Sequence, residues 1–345
     1  MVGADLSSNE AGELPGSIGD VLSAFNQSAM GIYVVISNER LVQGIITDGD
    51  VRRALLDGVA LSESAEKILN RAPLLAPASL DRYERQAKMR SHGVRHLVVT
   101  DAGGKFLAVE SLSSTGAERA NWVVIMAGGL GQRMLPHTLE VPKPMLPVRG
   151  QPILEHIIDK LANQGFRNFA ISVNYLSDQI EDHFRDGSSK GLRIEYLKEL
   201  HPLGTAGSLG MFTFPTAQPV LVVNGDVMTD ADFGEMLRIH TEAASYCTVG
   251  VKQVQFQNPY GVVETDGSAV VGYAEKPISS SLVSAGVYVF DSNVFETIDG
   301  HKALDMPDLI RVLVESGSRV GAYPLVESWI DVGRPADYRA VGGDL

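Results

Sequence analysis

The chain has 345 residues, 44% apolar and 21% charged, the balance of a globular protein with one large domain or two smaller ones. A formal net charge of −13 argues against a general partner for nucleic acid or anionic membrane, since nothing offsets phosphate repulsion overall. The single Cys247 excludes an internal disulfide, and no Cys/His cluster has zinc-ligand spacing.

In chain order, the start "MVGADLSSNEAGELPG" is acidic and lacks basic and apolar segments, so no secretory signal is expected. No apolar run reaches the roughly 18 residues of a membrane span, and the cytoplasm is the expected compartment. Residues 1 to about 117 hold two units of similar layout. The first is a helix near Ile18–Ser28, a strand "IYVVI" (Ile32–Ile36), a strand "LVQGIIT" (Leu41–Thr47) and a helix from Asp50. The second is a helix across Asp81–Ser91, a strand "RHLVVT" (Arg95–Thr100), a turn and a strand "KFLAVES" (Lys105–Ser111). Order and spacing, rather than identity, mark this as an internal α-β-β-α repeat. The polar "SSTGAERAN" (Ser113–Asn121) reads as a linker, giving domains over 1–118 and 119–345.

From Trp122 onward strands alternate with helices. The strands are "WVVIMA", "NFAISV" (Asn168–Val173), "RIEYL" (Arg193–Leu197) and "PVLVVN" (Pro219–Asn224). The intervening "PILEHIIDKLANQG" puts Ile153, Leu154, Ile157, Ile158 and Leu161 on one helical face, with Gly165 as its stop. Short apolar strands with helical crossovers predict an α/β fold, a doubly wound and mostly parallel sheet. Ligands of such sheets bind beyond the carboxyl ends of the strands.

The first of those ends runs into "AGGLGQRMLPHTLEVPKPMLPV". Gly128, Gly129 and Gly131 let backbone N–H groups approach a phosphate, because no Cβ intervenes. A Rossmann fingerprint would need a glycine where Met134 stands, and a P-loop would need G-K-[ST]; neither is present. Arg133 offers a planar fork to phosphate oxygens, and Lys143 a point charge stiffened by Pro142 and Pro144.

This signature resembles that of the sugar-1-phosphate nucleotidyltransferases, also called nucleoside-diphosphate-sugar pyrophosphorylases, over Trp122–Leu345. Further segments agree in order: "PLGTAGSL" (Pro202–Leu209), "NGD" (Asn224–Asp226), "PYGVV" (Pro259–Val263), "EKP" (Glu275–Pro277), "SAGVYVF" (Ser284–Phe290) and "WIDVGRPADY" (Trp329–Tyr338). Gln132 stands where a threonine is common, and Ser284 where an asparagine often faces the sugar. The resemblance implies a nucleotide-diphospho-sugar transferase fold and transfer of a nucleotidyl group from a nucleoside triphosphate to a sugar 1-phosphate. It implies nucleotide contacts from Ala127, Gly128, Gly129, Gly131, Gly204, Thr205 and Ala206, and sugar-side contacts from Tyr260, Gly261, Glu275, Lys276, Ser284 and Gly286. "ISVNYLSDQIEDHF", "ALDMPDLI" and the preceding domain look most like guanylyltransferases acting on hexosamine 1-phosphates in bacterial legionaminic-type acid synthesis. That resemblance implies GTP; thymidylyl, cytidylyl and other guanylyl variants stay open.

Such a reaction requires no general base, because the attacking phosphate oxygen is already ionised near neutral pH. It requires charge neutralisation and in-line placement of two anions. Arg133 with the glycine loop would hold the triphosphate, and Lys143 would offset charge near the reacting phosphates. Mg2+ would be held by carboxylates as hard oxygen ligands. Asp226, just past an apolar strand, is the best carboxylate, and by resemblance Asp331 is the second.

The N-terminal pair resembles tandem cystathionine-β-synthase (CBS) modules, on the strength of "GIITDGD" (Gly44–Asp50). The resemblance implies a regulatory nucleotide, with Thr47 at its phosphate and Asp50 at its ribose, in a module that also pairs two chains. The second unit has "AVESLSS" (Ala108–Ser114), with Ser114 for the aspartate and Glu110 for an apolar residue, so at most one site is complete. A purely structural dimerisation role stays open, as does a homo-oligomer larger than a dimer.

Overall fold

In the computed structural model, which describes residues 10–28, 30–112 and 118–343, the chain divides into two units. One is Met1–Ser113 with Gln253–Ser281, the other Ser114–Lys252 with Leu282–Leu345.

The first unit opens with β1 (Ala11–Gly12), α1 (Ile18–Ser28), β2 (Ile32–Ile36), β3 (Val42–Thr47) and α2 (Asp48–Leu56). The layout then repeats with β4 (Leu75–Pro77), α3 (Arg82–His92), β5 (His96–Thr100) and β6 (Phe106–Ser111). Each half is a three-stranded sheet, β1-β2-β3 and β4-β5-β6, in which the first pair is parallel and the second antiparallel. The repeat expected from spacing is therefore a repeat of topology. Ile32, Val34 and Ile45 of one half share a buried cluster with Val98 and Phe106 of the other. Helix starts obey local chemistry: Thr47 caps α2 and Asp81 caps α3, each in a reciprocal capping box, and Gly93 at φ 63° ends α3. The helix expected from Asp50 thus begins two residues earlier, at Asp48.

Of the expected linker Ser113–Asn121, residues 113–117 lie outside the described residues, and Arg119–Asn121 already belong to β7 (Arg119–Met126). Arg119 is recruited because its backbone pairs with Phe166 and its Nε donates to the Gln164 carbonyl at 2.9 Å. The second unit continues with β8 (Pro147–Val148), β9 (Gln151–Pro152), α4 (Ile153–Asn163), β10 (Phe166–Val173), α5 (Ser177–Phe184) and β11 (Arg193–Lys198). Then come β12 (Val220–Asn224), β13 (Val227–Thr229), α6 (Phe233–Glu242) and β14 (Cys247–Gln257). A two-stranded arm, β15 (Val262–Asp266) and β16 (Ala269–Ala274), groups with the first unit. The chain closes with β17 (Ile278–Phe290), α7 (Met306–Glu315), β18 (Val320–Pro324), β19 (Trp329–Asp331) and α8 (Pro335–Ala340).

Seven strands form the main sheet in the order β11-β10-β7-β12-β17-β14-β18. The four from β11 to β12 run parallel, β14 and β18 run parallel, and β17 is antiparallel to β12. This is the mixed, mostly parallel doubly wound sheet that the alternation of strands and helices predicts. Side chains alternate along β7, with Val123 and Ile125 in one core cluster and Trp122 and Val124 in the other, so both faces are covered. The apolar face of α4 is buried at all five expected positions. Since β7 and β12 are neighbours, their carboxyl ends open side by side. Among the described residues, no helix is long and apolar enough to cross a membrane.

Candidate active site

Beyond Met126 the chain is first tied down, then left open. Ala127 is buried and donates its N–H to the Ser172 carbonyl at 2.9 Å, closing the end of β7 onto β10. A Cβ on Gly128 would lie 2.8 Å from Glu199 Oε1, whereas one on Gly129 would meet nothing within 4 Å. A side chain at Gly128 would displace Glu199, and Gly129 faces open space, as an amide-lined anion loop needs. Gly131 sits at φ 61°, and a Cβ there would lie 3.0 Å from the Cβ of Lys143 and from Thr138 Cγ2. That close approach seats the P-K-P turn directly on the glycine loop. Met134 anchors the turn by full burial, while Arg133 beside it is exposed toward the cleft.

The second strand end supplies the carboxylates. Gly225 donates its N–H to the Met126 carbonyl at 2.9 Å, binding the end of β12 to that of β7. β13 then pairs antiparallel with β19, Val227 opposite Asp331, and Val332 donates its N–H to the Asp226 carbonyl at 2.9 Å. Two aspartates 105 positions apart in sequence are thereby adjacent at one ribbon end. Lys143 Nζ donates to Asp226 Oδ2 at 2.5 Å. Burial, then the neighbouring Asp226 charge, holds the Asp331 carboxyl above the usual aspartate range, against the pull of Lys143 and Arg133.

Arg133, Lys143, Asp226 and Asp331 all line one cleft of about 490 Å³, with Gly128, Gly129, Gly131, Gly204 and Thr205. Its lining comes wholly from the second unit. The 204–206 loop is docked against the segment before α7. A Cβ on Gly204 would lie 2.7 Å from the Leu304 carbonyl oxygen, and Thr205 Oγ1 accepts the Met306 N–H at 2.8 Å. Ala206 is fully buried, its N–H donated to the Leu304 carbonyl, and it lies in the core rather than on the cleft wall. Gly286, at φ 68°, leaves room for Asn224, whose Nδ2 would lie 2.7 Å from a Cβ there; Asn224 lines the cleft. Ser284 Oγ is bonded to Tyr288 OH at 2.8 Å.

Four expected sugar-side residues belong to the arm of the first unit. Gly261 packs against the Tyr273 ring, and Tyr273 OH donates to Glu275 Oε2 at 3.0 Å. Tyr260 is 74% exposed, and Lys276 holds φ 46°, a conformation uncommon outside glycine.

One cleft residue escapes a motif reading. Glu199, immediately past β11, accepts from Ser172 Oγ at 2.5 Å and from the Leu203 N–H at 2.9 Å, and lines the cleft. The available signal was position: a charged residue at the carboxyl end of a parallel strand, three before Pro202.

In the first unit, Thr47 and Asp50 are engaged with each other. The Thr47 N–H and Oγ1 donate to Asp50 Oδ2 at 2.8 and 2.6 Å, and Arg53 reaches Asp50 Oδ1 at 2.5 Å. Asp50 also borders a separate cavity of about 360 Å³ with Arg53 and Lys67. Asp48, two residues before Asp50, pairs with the buried Arg52 at 3.3 Å. In the second half Glu110 pairs with Arg85 at 2.6 Å and Ser111 Oγ is bonded to His96 Nδ1 at 2.9 Å; Ser114 lies outside the described residues.

The family model described as nucleotidyl transferase matches residues 122–345, and the CBS domain model matches residues 16–57. The chain is 33% identical over 231 residues to "Mannose-1-phosphate guanylyltransferase" of Mycobacterium tuberculosis, covering 64% of each chain. It is 31% identical over 223 residues to "Mannose-1-phosphate guanyltransferase beta-A" of Xenopus laevis, covering 62% of each. The chain thus spans less than two thirds of the length of these relatives. Among solved structures, HddC from Yersinia pseudotuberculosis superposes with a TM-score of 0.51 at 26% identity, over 64% of this chain and 97% of that one. The chain belongs to the nucleotidyl transferase family, and it carries a CBS domain ahead of the transferase part.

Proposed function

We propose that the protein transfers a guanylyl group from GTP to a sugar 1-phosphate, releasing pyrophosphate, with Mg2+ as its metal. The observation that carries this reading is the convergence of two cations and two carboxylates where β7 and β12 end. Reaction between two anions needs neutralisation and alignment more than proton transfer. Arg133, exposed beside the open face of Gly129, would take the triphosphate. Lys143, seated on the glycine loop, would offset charge at the reacting phosphates.

The donor set fits a hard divalent cation. Asp226 and Asp331 both face the cleft, and the Asp331 carboxyl is held high by burial and by the Asp226 charge, a cost that a cation relieves. When held by these carboxylates, the metal would supply Lewis-acid stabilisation of phosphoryl charge. The chain's part is to hold both carboxylates on one ribbon and to present the triphosphate to the sugar phosphate.

The guanine preference is supported by Glu199 and by the names of the relatives. A carboxylate accepts hydrogen bonds only, and guanine's N1–H and N2 amino group present two adjacent donors. For the sugar, the resemblance within residues 171–184 and 303–310 favours glucosamine or N-acetylglucosamine 1-phosphate. The relatives' names bring in mannose 1-phosphate as the competing substrate. We place the reaction in the cytoplasm, where triphosphates are made, and assign the CBS part to nucleotide sensing and to assembly of a homodimer or larger homo-oligomer. Pyrophosphate release, measured with GTP, UTP, dTTP and CTP against these three sugar phosphates, tests the reading. GTP with a hexosamine phosphate should be fastest; no release with any pair would reject the transferase assignment.

A further inference from the structure

Lys143 and Asp226 hold one another more tightly than two residues merely sharing a cleft. Nζ lies 2.5 Å from Oδ2, and the side chains are only 13% and 26% exposed. Their neighbours differ: among the described residues, the Arg133 guanidinium and the Asp331 carboxylate make no hydrogen bond or ion pair. One cation of the cleft is thus committed to a carboxylate and the other is open. The committed one has a fixed base and a movable head. Its Cβ packs against Gly131, and Pro142 and Pro144 flank it, while four carbons separate Cα from the ammonium. Lys143 therefore reaches from the glycine loop, on which phosphates would lie, to Asp226.

We propose that Lys143 and the divalent cation are alternative partners of the Asp226 carboxylate, so that the cation is admitted with the triphosphate, whose phosphates draw Lys143 away. The proposal rests on the reading of Asp226 and Asp331 as the metal's carboxylates. Its physical basis is competition: an ammonium in contact with Oδ2 blocks that oxygen and repels a second positive charge. A phosphate chain on the glycine loop offers the ammonium a replacement partner of higher charge. The cation and nucleotide then bind with positive coupling, and by linkage each raises the other's affinity equally. Because the exchange leaves Lys143 on the phosphates, the same movement that opens the metal site arms the cleft for transfer.

The test uses Mn2+ as the probe, with binding to the full-length protein followed by electron paramagnetic resonance, with and without a GTP analogue that has a methylene between the α- and β-phosphorus atoms. Without nucleotide, Lys143→Ala and Lys143→Gln should each bind Mn2+ about tenfold tighter than wild type, a typical coupling between two sites. Arg133→Ala removes equal charge without touching Asp226 and should change Mn2+ affinity by no more than about twofold. The analogue should tighten Mn2+ binding in wild type and have much less effect in the Lys143 variants. Unchanged or weaker Mn2+ binding in both Lys143 variants, with native circular dichroism, would overturn the proposal. So would an equal gain in Arg133→Ala, which would make the effect general electrostatics. Asp226→Ala separates the two levels: if it keeps wild-type Mn2+ affinity with the analogue, the metal assignment itself is wrong. If it loses affinity while Lys143→Ala gains none, only the exchange fails.

Discussion

Gly225→Ala is the most discriminating change in this cleft, because the methyl group it adds meets backbone. A Cβ there would stand 2.9 Å from the Met126 carbonyl oxygen and 3.4 Å from Ala127 Cα and Cβ. The same carbonyl accepts the Gly225 N–H at 2.9 Å, so the clash and the hydrogen bond oppose each other across one joint. Relief requires the ends of β7 and β12 to part by a few tenths of an ångström, and Asp226 follows directly in the chain. Overpacking of this kind costs about 1–3 kcal/mol, a fall of several degrees in Tm for a unit of this size. Misplacement by about 1 Å can cost a hundredfold in rate, so a shift of a few tenths of an ångström should lower kcat by about 3- to 10-fold. Pyrophosphate release at saturating substrates, beside thermal unfolding, measures both. Gly129→Ala is the contrast, since its Cβ meets nothing within 4 Å. It should keep its Tm but raise KM for the triphosphate by crowding the anion loop. Wild-type kcat in Gly225→Ala would show that the strand ends do not set the carboxylate position. A large loss of Tm in Gly129→Ala would show that its open face is occupied by the fold.

Arg133→Ala should raise KM for GTP by about tenfold with a smaller effect on kcat, whereas Lys143→Ala should act mainly on kcat; steady-state kinetics showing the same split for both would reject their division of labour. Glu199→Gln replaces one acceptor by a donor, so the preference for GTP over UTP, read as a ratio of kcat/KM, should fall by at least about tenfold. An unchanged ratio would remove Glu199 from base selection. Asp50→Ala should lower stability by about 1 kcal/mol with no nucleotide present, because the carboxylate accepts the Thr47 N–H at the start of α2. Calorimetry with adenine, guanine and cytosine nucleotides then reports whether the residue also binds ligand; titration curves identical to wild type would confine it to capping.

Local rules of the chain determine much of this protein. Short continuous apolar runs place the strands, and the 3.6-residue spacing of Ile153, Leu154, Ile157, Ile158 and Leu161 places the buried face of α4. Glycines and prolines mark the phosphate loop, because backbone permission and stiffness are properties of single residues. The same locality makes Arg133 and Lys143 legible, since both sit on the one stretch whose turns hold them. What sequence order does not encode is which strand ends are neighbours. Only the pairing of β13 with β19 makes Asp331 a partner of Asp226 by geometry, since resemblance alone had suggested it. Only the closure of the 304–306 segment over Gly204 and Thr205 turns a glycine loop into a packed wall and draws Ala206 into the core. Glu199 is unremarked in the chain because one carboxylate after a strand is common; it gains meaning where Gly128 comes within contact of it. At Thr47 and Asp50 the pattern admits both a ligand and a helix cap, and the fold fills their hydrogen bonds with the cap. Contacts across a hundred positions depend on the sum of packing over both faces of the sheet, which no short window of sequence contains.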